Sequence, residues 1–359
     1  MARWPRTVVH GSRNVNRSPI DITFYLAEKF SMIAFATAIE PLRLANRQSA
    51  KTAYRWRVIS RDGTPALASN GLTIEAAGGI ADEVRRIQAG EGPDYLLVCS
   101  GIDAEDANCR TLREMLRLAE RRKIRIGGLC TGAWLLARAG LLDGRECAIH
   151  WEALPSFQET FPDVDVHADL FEVDDGIYTC AGGTAALDMM LSIIGADHDE
   201  SLVNAICEQC LTDRVRSPHD RQRLPLRARI GVHNSKLLSA IELMEGNISD
   251  PLPMERIAAA TGLSRRQIER LFTQNLGRSP ARYYLEVRLE RARHLLIQTS
   301  MPVIEVAIAC GFVSASHFSR CYRDLYGRSP QAERQQRHQL VVPVPEEPSE
   351  PDPPQATVG

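Results

Sequence analysis

Residues 254–280 read MERIAAATGLSRRQIERLFTQNLGRSP, and residues 303–330 read VIEVAIACGFVSASHFSRCYRDLYGRSP. The two stretches are copies of one pattern. Ile257 aligns with Val306, Ala258 with Ala307, Gly262 with Gly311, Arg270 with Arg320 and Phe272 with Tyr322, and both copies end in Gly-Arg-Ser-Pro. The offset is 49 residues and becomes 50 after one inserted residue. Each copy predicts a short helix, a turn and a longer helix, with Ala258 and Ala307 letting the helices approach closely. Gly262 and Gly311 suit a turn position with positive φ. Two helix-turn-helix units are therefore expected, at about 254–276 and 303–326. A scaffold of stacked helical repeats would need three or more units to bury a continuous core.

Between the copies, Tyr283 to Gln298 predicts a helix whose Leu285, Leu289, Ala292, Leu295 and Leu296 pack against both units. Two reading helices spaced by such a rod would enter successive major grooves of double-stranded DNA, about 34 Å apart. In the first reading helix Ile268, Leu271 and Phe272 are expected to face the core, which leaves Arg265, Arg266, Glu269 and Arg270 outward. In the second, Phe318, Cys321 and Tyr322 face inward and Ala315, Ser316, Ser319 and Arg320 outward. His317 suits either the DNA face or a bond to nearby backbone. Arg can pair with guanine and Glu can accept from cytosine, so these positions are the candidate DNA contacts. Arg270 and Arg320, at matching positions, are the foremost of them.

Charge supports this reading once the chain is divided. The whole has 43 Lys+Arg against 45 Asp+Glu, a net −2, and its 44% hydrophobic and 25% charged content excludes fibrous or wholly disordered classes. Residues 210–338, however, carry 21 basic and 12 acidic side chains, the basic ones almost all Arg, whereas residues 1–209 carry 22 and 29. A basic module of this kind fits a polyanion partner. The duplicated motif, the linking helix and the second Gly-Arg-Ser-Pro together resemble the AraC/XylS family of transcription regulators over about residues 235–336. That resemblance implies sequence-specific DNA binding, contact with RNA polymerase and a homodimer.

The first two hundred residues alternate differently. Ile20 to Leu26, Trp56 to Ile59, Leu72 to Ile74, Tyr95 to Cys99 and Ile124 to Leu129 predict strands, with helices at 32–46, about 105–122 and 131–139 between or after them. Val164 to Val173 and Ile177 to Cys180 predict a hairpin about Asp174-Asp175-Gly176, and Gly182-Gly183 opens an apolar helix to Ile194. The expected fold class is thus α/β, a flavodoxin-like mostly parallel sheet, followed by the all-α double helix-turn-helix domain.

The sharpest chemical feature of this half is GLCTGAW, residues 128–134. A cysteine between a strand end and a helix start sits on a tight turn, where the helix dipole is expected to lower the thiol pKa. With His150-Trp151 and Gly182-Gly183-Thr184, this stretch resembles the PfpI-type, class I glutamine amidotransferase-like family over about residues 20–210, with Cys130 at the nucleophile position. Hydrolytic members carry a His after that cysteine, where this chain has Thr131. Members with a poised thiol carry a Glu early in the first helix, where this chain has Ser31-Met32-Ile33-Ala34. The expectation is a small-molecule effector site lined by Cys130, Thr131, His150, Trp151, Gly182 and Gly183. A Cys130-dependent hydrolase or a thiol redox sensor is the alternative. The fusion resembles the GlxA-like subgroup, which implies a metabolite-sensing transcription regulator and not an enzyme, whose effector is an amino acid or quaternary ammonium compound.

Expected boundaries are a tail at 1–18, a sensing domain at 19–212, a linker at 213–233, a DNA-binding domain at 234–338 with a helix opened by Ser235, and a Pro-rich acidic tail at 339–359. Nine scattered cysteines without an apolar leader predict free thiols and a cytoplasmic location. Cys207 and Cys210 have the spacing of a zinc half-site, but no second pair follows, so they read as helix core and no metal or cofactor is expected. No stretch is long and apolar enough for a membrane span.

Overall fold

The computed structural model describes residues 19–49, 51–222, 226, 230, 231 and 234–335. The expected tails at 1–18 and 339–359, and parts of the expected linker, lie outside the described residues. The chain divides into two compact units, the first within 19–222 apart from residues 67–74, the second made of residues 67–74 and of those described from 226 to 335.

The first unit is built on a six-stranded sheet ordered β2-β1-β5-β6-β10-β9. Its strands are β1 (Ile20–Leu26), β2 (Tyr54–Ile59), β5 (Tyr95–Cys99), β6 (Arg125–Leu129), β9 (Phe171–Asp174) and β10 (Ile177–Cys180). All neighbours run parallel except the β9/β10 hairpin, so a flavodoxin-type 2-1-3-4-5 order carries an antiparallel edge. Tyr95 to Cys99 are buried throughout, as expected of a strand covered on both faces. Helices α1 (Met32–Gln48), α2 (Ile80–Ala89), α3 (Arg110–Arg121), α4 (Gly132–Arg138), α5 (Leu154–Thr160), α6 (Ala185–Asp197) and α7 (Glu200–Gln209) complete this unit. Short strands β3 (Ala66–Leu67) and β4 (Thr73–Ile74) pair with each other, and β7 (Glu146–Ala148) pairs parallel with β8 (Asp165–His167).

Three local expectations are revised. The helix expected from Glu105 starts only at Arg110, because residues 103–108 are taken up by turns, with Asn108 N–H bonded to Glu105 O and Asp103 at φ +59°. The single strand expected from Val164 to Val173 is two, since Leu170 N–H leaves the sheet to bond Pro218 O at 2.8 Å. Residues 213–222, expected as linker, lie along the first unit. Arg216 bonds the Asp188 carboxylate through its backbone N–H, Nε and Nη2.

The second unit contains α8 (Ser235–Glu245), α9 (Met254–Thr261), α10 (Arg265–Leu276), α11 (Pro280–Gln298), α12 (Val303–Ala309), α13 (Ala315–Tyr326) and α14 (Pro330–Gln335). The helix expected to be capped by Ser235 is capped by Asn234, whose Oδ1 accepts the Leu237 N–H at 3.0 Å. Two cores form, one around Leu237, Ile241, Ile257, Ile268 and Phe272, the other around Leu289, Leu295, Val306, Phe318 and Tyr322. The linking helix α11 meets them with different residues. The leucines expected to serve both cores serve the second, while Tyr283 and Tyr284 reach the first. Among the described residues, no helix is long and apolar enough to cross a membrane.

Candidate nucleic-acid interface and buried thiol site

In each helix-turn-helix unit the turn glycine is left-handed, φ +62° at Gly262 and +71° at Gly311. The first reading helix α10 starts in a reciprocal cap: Gln267 N–H donates to Ser264 Oγ, and Ser264 N–H donates to Gln267 Oε1 at 2.7 Å. Ser314 Oγ caps α13 by accepting the His317 N–H. These starts fix the rotation of both helices. Ile268 and Phe272 are buried and Leu271 partly so, which leaves Arg265, Arg266 and Arg270 exposed and Glu269 half-buried. On α13, Phe318 and Tyr322 are buried and Cys321 partly so. Ser316, His317 and Arg320 are exposed there, with Ala315 and Ser319 half-buried.

Two of these side chains have partners that the sequence reading missed. Arg265 Nη1 lies 3.1 Å from Glu255 Oε1 on α9, an exposed pair that ties the reading helix to the helix before it. His317 Nε2 lies 3.3 Å from Cys321 Sγ, one turn on, and its ring lies 5.9 Å from that of Phe312, so its partner is a side chain and not the backbone.

The two units are held in one frame. Arg288 on α11 donates to the carbonyls of Cys310 and Gly311 at 2.8 and 2.7 Å, and its guanidinium stacks 4.2 Å from the Phe312 ring centroid. A Cβ on Gly311 would stand 2.6 Å from Ile248 O and 2.7 Å from the Pro251 ring, both in the first copy's lead-in loop. The second turn thus touches the first copy directly. The exposed arginine alignment was legible from the repeat; this contact has no signal in sequence beyond the glycine itself.

In the first unit Cys130 stands at the carboxyl end of β6 with φ +61°, a strained elbow for a residue with a Cβ. The chain can turn so sharply because its neighbours are glycines. A Cβ on Gly132 would lie 2.3 Å from Val98 O, and one on Gly182 would lie 2.5 Å from Cys130 Cβ. Cys130 N–H bonds Cys180 O, and Cys130 O accepts the His150 N–H at 3.4 Å. Thr131 Oγ1 donates to Gly101 O at 2.6 Å, and Gly183 O accepts from Thr37 Oγ1 at 2.6 Å. Cys130, Thr131, His150 and Gly182 are therefore brought together. Trp151 is half-buried with its ring 5.7 Å from that of His150, and Gly183 is turned toward α1. The sequence reading missed Ser31, which hydrogen-bonds the thiol, the neighbouring thiol Cys180, and Arg216, which donates to Thr184 Oγ1 at 2.8 Å just after the two glycines.

The electrostatics of this thiol reverse one expectation. Burial, reinforced by Cys180, pushes the Cys130 pKa up to about 12, despite bonds from Thr131 N–H and Ser31 that favour the thiolate. The seven-residue α4 does not offset the loss of water. His150 Nδ1 accepts the Glu152 N–H at 3.4 Å, and the backbone N–H of His150 donates to Cys130 O. A separate cleft of about 570 Å³ opens at the amino ends of the same strands, bordered by Asp94, Arg122, Lys123, Arg125 and Asp197. It lies at the wrong end of the sheet for the Cys130 elbow, and in α/β sheets of this kind ligands sit at the carboxyl ends.

A family model described as a helix-turn-helix domain matches residues 257–336, and a DJ-1/PfpI family model matches residues 21–196. The HTH-type transcriptional regulator GbdR of Pseudomonas aeruginosa is 43% identical over 336 residues, covering 92% of this chain and 90% of its own length. CdhR of the same organism is 42% identical over 314 residues, covering 88% and 91%. GlxA of Rhizobium meliloti is 36% identical over 320 residues, covering 89% and 95%. All three are HTH-type transcriptional regulators by name.

Proposed function

The chain belongs to the AraC-type transcriptional regulators of the GlxA-like kind, which join a DJ-1/PfpI domain to a double helix-turn-helix, and from that premise we propose how it reads DNA and what switches it. Arg266, Glu269 and Arg270 of α10 read bases in one major groove. Ala315, Ser316, Ser319 and Arg320 of α13 make fewer charged contacts in the next, with His317 at its edge. Arg265, shared with Glu255, serves a phosphate. The observation that carries this reading is the equivalent, exposed placement of Arg270 and Arg320 on two helices locked together by Arg288 and Gly311. Footprinting with the full chain tests it: protection of two major-groove segments about one helical turn apart supports the reading. Protection of a single segment sinks it.

The effector site is the elbow at Cys130, with Thr131, His150, Trp151, Gly182 and Gly183 around it. Its ligand is a small amino acid or quaternary ammonium compound, for which Trp151 offers a cation–π face. The protein acts as a homodimeric activator that contacts RNA polymerase, and the ligand works by preferring one conformation of the regulator. Calorimetric titration of the full chain with glycine betaine, carnitine and arginine checks the ligand class. No heat with any of the three rejects it. The neutral, buried thiol favours this binding role over the hydrolase alternative.

A further inference from the structure

The cleft of about 570 Å³ at the amino ends of the strands is framed by backbone from four parts of the first unit. Pro19 and Ile20 open β1 on one side of it, Asp94 precedes β5, Arg122 to Arg125 carry the chain from α3 into β6, and Asp197 closes α6. Main-chain bonds fix their spacing. Asp94 N–H donates to Asp21 O at 2.8 Å, Arg125 N–H to Asp94 O at 3.1 Å and Lys123 N–H to Glu120 O at 2.8 Å. The frame therefore exists before any ligand arrives.

The two carboxylates of the cleft are already engaged. Asp94 Oδ2 accepts the Asp21 N–H at 2.9 Å, and Asp197 Oδ2 accepts from the Tyr54 and Tyr95 hydroxyls at 3.3 and 3.2 Å. The three cations are not: among the described residues, the side chains of Arg122, Lys123 and Arg125 make no hydrogen bond and no ion pair. Arg125 matters most. It is half-buried, its guanidinium stacks 4.8 Å from the Tyr95 ring centroid, and Asp94 and Asp197 act on it only through longer-range charge. A guanidinium that has given up part of its water without an ion pair is poorly compensated, and an anion in the cleft would supply the partner. What the charged side chains leave unused here is mainly N–H donors. Ligands of such α/β sheets ordinarily sit at the carboxyl ends, so an anion here would occupy a second site, apart from the Cys130 elbow.

We propose that this cleft binds a small multivalent anion, a phosphate ester or a di- or tricarboxylate, held by Arg125 with Arg122 and Lys123 at the rim. Its volume falls within the range of about 300–1,000 Å³ usual for small-molecule sites. Calorimetric titration of the full chain with inorganic pyrophosphate, citrate and acetate, at constant ionic strength, is the test. Pyrophosphate or citrate should bind with one equivalent, at least tenfold more tightly than acetate. Arg125→Gln and Lys123→Gln should each weaken that binding at least fivefold. Lys123 is exposed, so its variant folds as the parent does even where the half-buried Arg125 is less tolerant of change. Because the arginines of the reading helices also attract polyanions, an Arg270→Ala, Arg320→Ala double variant is titrated in parallel and should bind the probe as the parent does. Preference for pyrophosphate assigns a phosphate ester, preference for citrate a carboxylate, and equal affinity a site that reads charge alone; all three support the proposal. No saturable binding of either probe, acetate binding as tightly, unchanged affinity in both Arg125→Gln and Lys123→Gln, or loss of binding in the double variant overturns it. None of these failures touches the readings of the DNA face or of the elbow.

Discussion

Cys130 shows how a residue with the right address can have the wrong chemistry. Its position after β6 and between glycines is that of a nucleophile elbow, but burial holds its thiol protonated up to about pH 12, and that of Cys180 to about 11, against an ordinary 9.0. The native chain therefore binds these protons more tightly than the unfolded chain. Their contribution to stability is intact below about pH 9 and is lost as pH rises from 9 toward 12. Denaturation midpoints measured across that range should fall, and a Cys130→Ala variant should fall less steeply. At pH 8 a thiol reagent followed by mass spectrometry should label the half-buried Cys109 well before Cys130; equal rates would contradict the assigned burial. In the other unit, Arg270→Ala should cost about 1–3 kcal/mol at the cognate site if it reads a base, and little on unrelated DNA. A uniform loss on all sequences, measured by competition binding, would assign it to phosphate instead.

At the level of elements, the question is what sets the two reading helices in register with each other. Repeat arithmetic predicts two units and a rod, and it places Gly262 and Gly311 in their turns. It does not show that the rod greets the first unit with Tyr283 and Tyr284 and the second with leucines, because both kinds of side chain satisfy the same helical spacing. Nor does it show Arg288 clasping the second turn, since an arginine in a basic helix reads as surface until its carbonyl partners are in place. Arg288→Met should therefore lower thermal stability of the DNA-binding unit by about 1.5–3 kcal/mol, the worth of hydrogen bonds to a charged group. Gly311→Ala adds a clash with Ile248 O and Pro251 to the strain of a left-handed residue. It should cost more than Gly327→Ala, where the same φ is met by open space. Chemical denaturation of the two variants ranks them; an equal cost would mean the second turn does not abut the first copy.

Across the whole molecule, the near-neutral charge conceals an acidic α/β part and an arginine-rich helical part, and only the latter should govern the ionic-strength dependence of binding. The logarithm of the DNA affinity should fall linearly with the logarithm of salt concentration, and Arg320→Ala should reduce that slope by about one if Arg320 holds a phosphate. An unchanged slope would place it on a base edge. The sequence by itself determined the classes of both parts, the duplicated module, the turn glycines and the elbow at Cys130. These follow from periodicity and from backbone angles, which are local properties of the chain. Tertiary structure alone decided that the Cys130 thiol is neutral, that Arg265 is engaged by Glu255, that Arg216 seats the segment after α7 on α6, and that Asp169, Glu172 and His219 converge. Desolvation and hydrogen bonding depend on which distant residues become neighbours, and no local pattern of the chain encodes that.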